Sequence, residues 1–159
     1  MKRTCPLITS AQKFQAISSA VPEGIIVIDK DMKIIWVNPA AEVWTGGLVE
    51  VRGLYCHSVY QQGKGICNGC PSVTAFKTGR PEKSLFHAYY INGVRRHVEL
   101  TAAPIFDENG KVVAVAEIAR DLTEKLELEE KFKESRDRLQ AIFDGIGDGI
   151  SVIDRDYNI

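Results

Sequence analysis

The chain has 159 residues, of which 45% are hydrophobic and 26% charged, a balance that is globular rather than disordered and allows one core of ordinary size. A formal net charge of -1 gives no electrostatic reason to expect nucleic acid or an anionic membrane as partner. No apolar run approaches the roughly 20 residues that cross a bilayer, and the basic start Met1-Lys2-Arg3 lacks the apolar stretch of a signal peptide. The expected setting is therefore cytoplasmic and reducing, where the four cysteines read as ligands, redox groups or core residues before they read as disulfides.

Taken in chain order, residues 1–13 form an N-terminal arm, and the pattern predicts a short amphipathic helix over 10–20 with Phe14, Ile17 and Val21 on one side. Residues 24–28 and 33–37 form a hairpin around Asp29-Lys30-Asp31-Met32. Asn38 then caps a helix with Pro39 at its first position, and Gly46-Gly47 ends it. Short helical pieces fill 48–60, and 61–69 is a Gly-rich loop. Pro71 opens a helix to Lys77, with Gly79 and Pro81 as stop signals. Residues 84–91 and 94–104 alternate as strands around Asn92-Gly93, a strong hairpin signal. A turn at 107–110 leads to a last strand at 111–119. Two early and three late strands predict an α+β fold, one five-stranded antiparallel sheet with the short helices grouped on one face.

Residues 121–144 contain no Gly or Pro, and Leu128, Phe132, Ser135, Leu139 and Ile142 recur at heptad spacing. Glu127–Lys131, Glu129–Lys133 and Glu134–Arg138 are acid-before-base pairs four apart. This is either a solvated helix joining two domains or a two-stranded coiled coil that holds a homodimer. An internal repeat favours a joining role. Residues 14–34 and 139–159 align without a gap, with ten of twenty-one pairs identical. Such a long unit is a domain, not a solenoid repeat. The expected organisation is a complete module at 14–120, a connector helix at 121–144 and the start of a second module at 145–159. The repeat also removes a phosphate-loop reading of Gly145-Ile146-Gly147-Asp148-Gly149, because only one of these glycines recurs in the first copy and a strand follows.

The most pointed chemistry lies in Cys56-His57 and Cys67-Asn68-Gly69-Cys70-Pro71. A Cys-x-x-Cys turn lets two thiolates converge on one metal. With Pro71 as first helical residue, Cys70 becomes the N-cap, where the helix dipole favours thiolate, metal binding and oxidation. Cys56 supplies a third sulfur, and His57 or Cys5 a fourth ligand, a set that suits zinc or an iron–sulfur cluster. Pro71 stands where covalent haem attachment needs His, which argues against that cofactor. The bland reading makes Cys56 a core residue and leaves Cys67 and Cys70 unliganded. Trp36, Trp44, Phe76, Phe86 and Tyr90 are candidates to line a pocket between sheet and helices, or else are plain core. His87 and His97 read as surface or cross-strand residues. No catalytic Ser-His-Asp or Cys-His arrangement stands out, so this chain is not expected to be an enzyme.

The words Gly24-Ile25-Ile26-Val27-Ile28-Asp29, Ile35-Trp36-Val37-Asn38-Pro39-Ala40-Ala41-Glu42, Val51-Arg52-Gly53 and Pro104-Ile105-Phe106-Asp107-Glu108-Asn109-Gly110 resemble a PAS domain in their order and spacing. Arg120-Asp121-Leu122-Thr123-Glu124 is similar to the Asp-x-Thr signature that closes such a domain and begins a signalling helix. The resemblance implies a sensory, dimerising module with a ligand or cofactor between sheet and helices. It also implies an output domain in a longer protein: a histidine kinase, diguanylate cyclase or transcription regulator. Some PAS sensors of redox-responsive bacteria carry similar cysteine sets, which implies a redox or metal role here. A thiol oxidoreductase is the weaker alternative, because no strand of a thioredoxin-like pattern precedes Cys67.

Overall fold

A computed structural model describes residues 8–45, 50–91, 93–145 and 155, excluding the side chains of 86–88. Cys5, the Gly46-Gly47 helix stop, the Phe86 and His87 side chains, Asn92 and the second-module strand expected after 145 lie outside the described residues. The chain divides into two units, Met1–Thr123 and Glu124–Ile159.

In the first unit, helix α1 (Ser10–Ala20) begins on Thr9, whose side chain accepts from the Gln12 amide in a capping box. Strands β1 (Gly24–Asp29) and β2 (Ile34–Val37) form the first hairpin. Helices α2 (Pro39–Val43), α3 (Cys56–Tyr60) and α4 (Pro71–Thr78) follow, then strands β3 (Glu82–Ile91), β4 (Val94–Phe106) and β5 (Val112–Asp121). The sheet order is β2-β1-β5-β4-β3 and every neighbouring pair is antiparallel. The first and last strands in sequence thus become central neighbours, which buries β5 on the helix side.

Packing follows from alternation along the strands. Ile26 and Ile28 of β1, Val98, Leu100 and Ala102 of β4, and Val115 and Ala119 of β5 face the helices. There they meet Ala41, Cys56, Tyr60, Cys70 and Ala75. Helix α4 lies across β3, β4 and β5 and stops at Gly79, whose φ of 64° is the left-handed conformation that glycine tolerates. Asn38 ties the early elements together. Its Oδ1 accepts from the Ile25 and Ala41 amides, both at 2.9 Å. Its Nδ2 donates to the Ser18 and Glu23 carbonyls, both at 3.0 Å. One buried side chain therefore caps α2 and fixes α1 to β1.

The expected face of α1 differs from the observed one. Ser18 is its buried residue, whereas Phe14 and Ile17 are exposed, and Phe14 rests against Trp36 with ring centroids 5.0 Å apart. In the second unit, α5 (Thr123–Gly145) carries the predicted seam, with Leu128, Phe132, Leu139 and Ile142 all exposed. Its ion pairs among the described residues are Lys125–Glu129 at 3.8 Å and Arg136–Asp137 at 2.6 Å rather than the three acid-before-base pairs. No described helix is long and apolar enough to cross a membrane.

Candidate functional site: a thiol group over a buried carboxyl

The Cys-Pro sequence builds the site from local rules. Proline restricts the preceding residue to extended backbone, and Cys70 has φ -56° and ψ 118°. Cys70 is the N-cap of α4, so its sulfur stands beside the first-turn amides. Upstream, the Cys70 amide donates to the Cys67 carbonyl at 3.2 Å, closing a turn across Asn68-Gly69. Gly69 takes φ +67°, a conformation in which a side chain is strained. The turn brings the Cys67 thiol into hydrogen-bonding contact with the Cys70 sulfur.

The two sulfurs differ in acidity. Cys70 is lowered to about 7 from the ordinary 9.0, first by the hydrogen bond from Cys67, with the Val73 and Ser72 amides assisting and burial opposing. Cys67 is pushed up, first because it gives that hydrogen bond and then by burial. Access runs the other way: Cys67 is half-buried, whereas Cys70 is 5% exposed. Cys56, at the start of α3, is buried with its thiol held well above its ordinary value, chiefly by burial and then by Glu117.

Beneath the sulfurs lies Glu117, only 1% exposed on the inner face of β5. Ser72, two residues beyond Cys70, donates its hydroxyl to Oε2 at 2.6 Å. Tyr89 of β3 donates to Oε1 and also lies within hydrogen-bonding reach of the Cys56 sulfur. Burial raises the Glu117 carboxyl above the ordinary 4.5, against the hydrogen bonds from Ser72 and Tyr89. Tyr60 stacks on Tyr89, with centroids 5.2 Å and planes 12° apart. Its own buried hydroxyl has no hydrogen-bond partner among the described residues, and burial, with Cys56 and Glu117 nearby, makes it a weaker acid than an ordinary tyrosine. Three elements, α3, α4 and β3, thus converge on one carboxyl of β5.

Not every candidate reaches this place. Cys56, Cys67 and Cys70 share the site, but among the described residues no three His, Cys, Asp or Glu side chains are placed to hold a metal ion. The His57 ring instead stacks on Tyr55, with centroids 5.3 Å apart. Phe76 packs against the core, as do Trp44 and Cys67. Trp36 lies on the opposite side of the sheet from Val37, because its strand partner is the outward Val27 rather than Ile26. It lines a separate cleft of about 350 Å³ with Phe14, Gln15, Glu42 and Arg52. Tyr90 is likewise outside the core and carries the Lys64 ammonium over its ring at 5.4 Å. Tyr89 takes the inward position. The register of β3 shifts between Ser84 and His87, and one extra residue exchanges the two faces of a strand.

Sequence reasoning passes over Glu117, Tyr60 and Tyr89. A signal for Glu117 existed: a single carboxylate in Val115-Ala116-Glu117-Ile118-Ala119, in phase with the inward Val115 and Ala119. Burying a carboxyl is costly unless it is hydrogen-bonded, so such a residue marks either a network or a site.

Comparison with solved structures finds the same fold at low sequence identity. An RNA-binding light-oxygen-voltage receptor matches with a TM-score of 0.64 and 21% identity over 84% of this chain, which spans 40% of that receptor. The PAS domain of a Colwellia psychrerythraea protein gives a TM-score of 0.62 and 19% identity, covering 73% of this chain and 99% of that one. The PAS domain of nitrogen regulation protein NR(II) from Vibrio parahaemolyticus gives 0.57 and 16%, covering 67% and 95%. No curated protein sequence matches the chain. The sequence itself matches the PAS fold family over residues 18–127, from the end of α1 into α5, and the chain belongs to that family of sensory domains.

Proposed function

We propose that this PAS domain is the sensory module of a longer signalling protein, and that Cys67 and Cys70 form its sensing element, responding to thiol oxidation. The observation that carries this reading is the contact between the two thiols at the start of α4, with one sulfur acidified to about 7. A thiol that ionises near neutral pH reacts with oxidants far faster than an ordinary cysteine. Disulfide closure would remove a negative charge from the α4 N-terminus directly beside Ser72, which holds Glu117 of β5. Strand β5 continues through Asp121, whose Oδ1 accepts from the Thr123 amide at 2.8 Å, into α5. The proposed downstream partner is a sensor histidine kinase or, as alternatives, a diguanylate cyclase or transcription regulator, reached in tandem through a second module beginning near residue 145.

Purification without oxygen, metal analysis and peptide mapping of the thiols before and after oxidation test this reading. A reversible Cys67–Cys70 disulfide in metal-free protein supports it. Stoichiometric zinc or iron lost on Cys67→Ser would replace it with the metal reading, in which Cys56, Cys67, Cys70 and a ligand such as Cys5 gather on binding. The exposed apolar seam of α5 favours a second reading, a cofactor-free dimerisation module. That reading requires a homodimer dispersed by Phe132→Glu and insensitive to the state of the thiols.

A further inference from the structure

Beyond the thiol reading, and independent of it, we infer that Glu117 is a proton-operated latch. It holds a proton in one working state of the fold, and releasing that proton redraws the hydrogen bonds that tie α4 and β3 to β5. The inference starts from an uncompensated charge. Glu117 is 1% exposed, and its neighbours across the sheet are Ile26 of β1 and Ala102 of β4, both fully buried. Its hydrogen bonds come from two neutral hydroxyls, Ser72 on α4 and Tyr89 on β3. No lysine, arginine or histidine forms an ion pair with it among the described residues. The titratable groups that interact with its charge are Cys56 and Tyr60 of α3, Cys67 and Cys70 of the turn before α4, and Tyr89. Each of these is neutral or negative, so none offsets a buried carboxylate. A carboxyl in such a place is costly as an ion and answers by holding its proton. Burial is accordingly the first influence on Glu117 and raises it above 4.5, with the two hydroxyls acting in the other direction.

The two protonation states cannot share one set of hydrogen bonds. An ionised carboxyl only accepts, so Ser72 donates to Oε2 and Tyr89 to Oε1. A protonated carboxyl has a donor of its own, and one of the two hydroxyls must turn from donor to acceptor. Tyr89 has another place to send its proton, because the Cys56 sulfur lies within its hydrogen-bonding reach. The latch therefore holds α4 and β3 by charge-assisted bonds when Glu117 is ionised, and by weaker neutral bonds when it is protonated. The effect has a short way to travel. Strand β5 continues from Glu117 to Asp121, whose Oδ1 accepts from the Thr123 amide at 2.8 Å. The Thr123 hydroxyl in turn accepts from the His97 amide of β4 at 2.9 Å, and Thr123 is the first residue of α5.

The test is an infrared titration of the whole chain with its thiols held reduced. It reads the carbonyl stretch that a protonated carboxyl has and that a carboxylate, a thiol or a phenol lacks. At about pH 6 ordinary carboxyls are ionised, so a band there belongs to a buried acid. The wild-type chain should show that band and lose it as pH rises, and Glu117→Gln should lack it throughout. Ser72→Ala removes a donor that favours the ion, so it should move the loss of the band upward by about one pH unit. That second variant decides the matter if Glu117→Gln fails to fold. In parallel, amide exchange along β5 and at Thr123, corrected for the intrinsic effect of pH, should follow the band in wild type and stay level in Glu117→Gln. A band absent at that pH, one that persists to the alkaline limit of folding, or one unmoved by Ser72→Ala would overturn the inference. So would a band that titrates while protection along β5 stays constant. Because the thiols stay reduced, none of these results bears on their oxidation, which its own experiment decides.

Discussion

Asn38 and Glu117 are both buried polar residues in one core, yet they are held in opposite ways. Asn38 spends its amide on four backbone groups from α1, β1 and α2, and all four bonds are near 3.0 Å. Glu117 is held by two side-chain hydroxyls, lies among three cysteines, and has the unpartnered Tyr60 hydroxyl beside it. A side chain bonded to backbone fixes a junction and has one working state. A carboxyl bonded to rotatable hydroxyls and surrounded by ionisable sulfurs has several. The contrast separates the group that holds this fold together from the group on which the proposed thiol response would act.

The largest effect is expected at the fixed junction. Asn38→Ala leaves two amides and two carbonyls without their partner and should lower stability by about 3 kcal/mol in urea unfolding. Asn38→Asp keeps the acceptor but sets a second carboxyl oxygen against the Ser18 and Glu23 carbonyls in a fully buried place, so it should cost at least as much. Equal, small losses in both would mean that water replaces the side chain and that the junction is not distinctive.

Glu117 should betray itself through pH. Its carboxyl is raised above 4.5 by burial, so its stabilising contribution is complete below that value and is lost as pH rises through the folded one. Glu117→Gln cannot ionise and should gain in stability on wild type as pH rises above 4.5. Parallel melting curves across that range would place Glu117 with Asn38 as a merely structural group.

Smaller effects belong to the turn. Gly69→Ala meets no atom within 4 Å but keeps φ at +67°, so about 1 kcal/mol of strain is expected, together with a looser thiol contact. Cys67→Ala removes a half-buried side chain packed against the core and should cost about 1 kcal/mol. It should nonetheless move the pH midpoint of Cys70 alkylation from about 7 upward towards 9.0, since the hydrogen bond from Cys67 is the main cause of the lowering. An unmoved midpoint would assign the acidity to the helix amides instead.

Much of the fold is legible in the sequence because it rests on local rules. Pro39 after Asn38, Gly79 after α4 and the turn at 107–110 each act through the backbone of a few residues, and the elements fall where those rules put them. The site is legible only where it is local as well. The Cys-Asn-Gly-Cys-Pro turn and the Cys70 cap are visible in sequence. The exchange of Tyr90 for Tyr89 is not, because a bulge in β3 reverses the alternation and depends on pairing with β4. Trp36 fails for a related reason. Its place follows from pairing with Val27, and an aromatic residue looks the same on either face. Glu117 becomes a site residue only when α4 and β3 bring Ser72 and Tyr89 to it, two contacts 45 and 28 residues away in sequence.

Coupling of the thiol pair to β5 through Glu117 is tested by amide hydrogen exchange of the reduced and the peroxide-oxidised chain. Oxidation should change protection at the start of α4 and along β5 around Glu117, while the amides of Ile25 and Ala41 bonded to Asn38 keep theirs. Identical exchange in β5 before and after disulfide formation would contradict it.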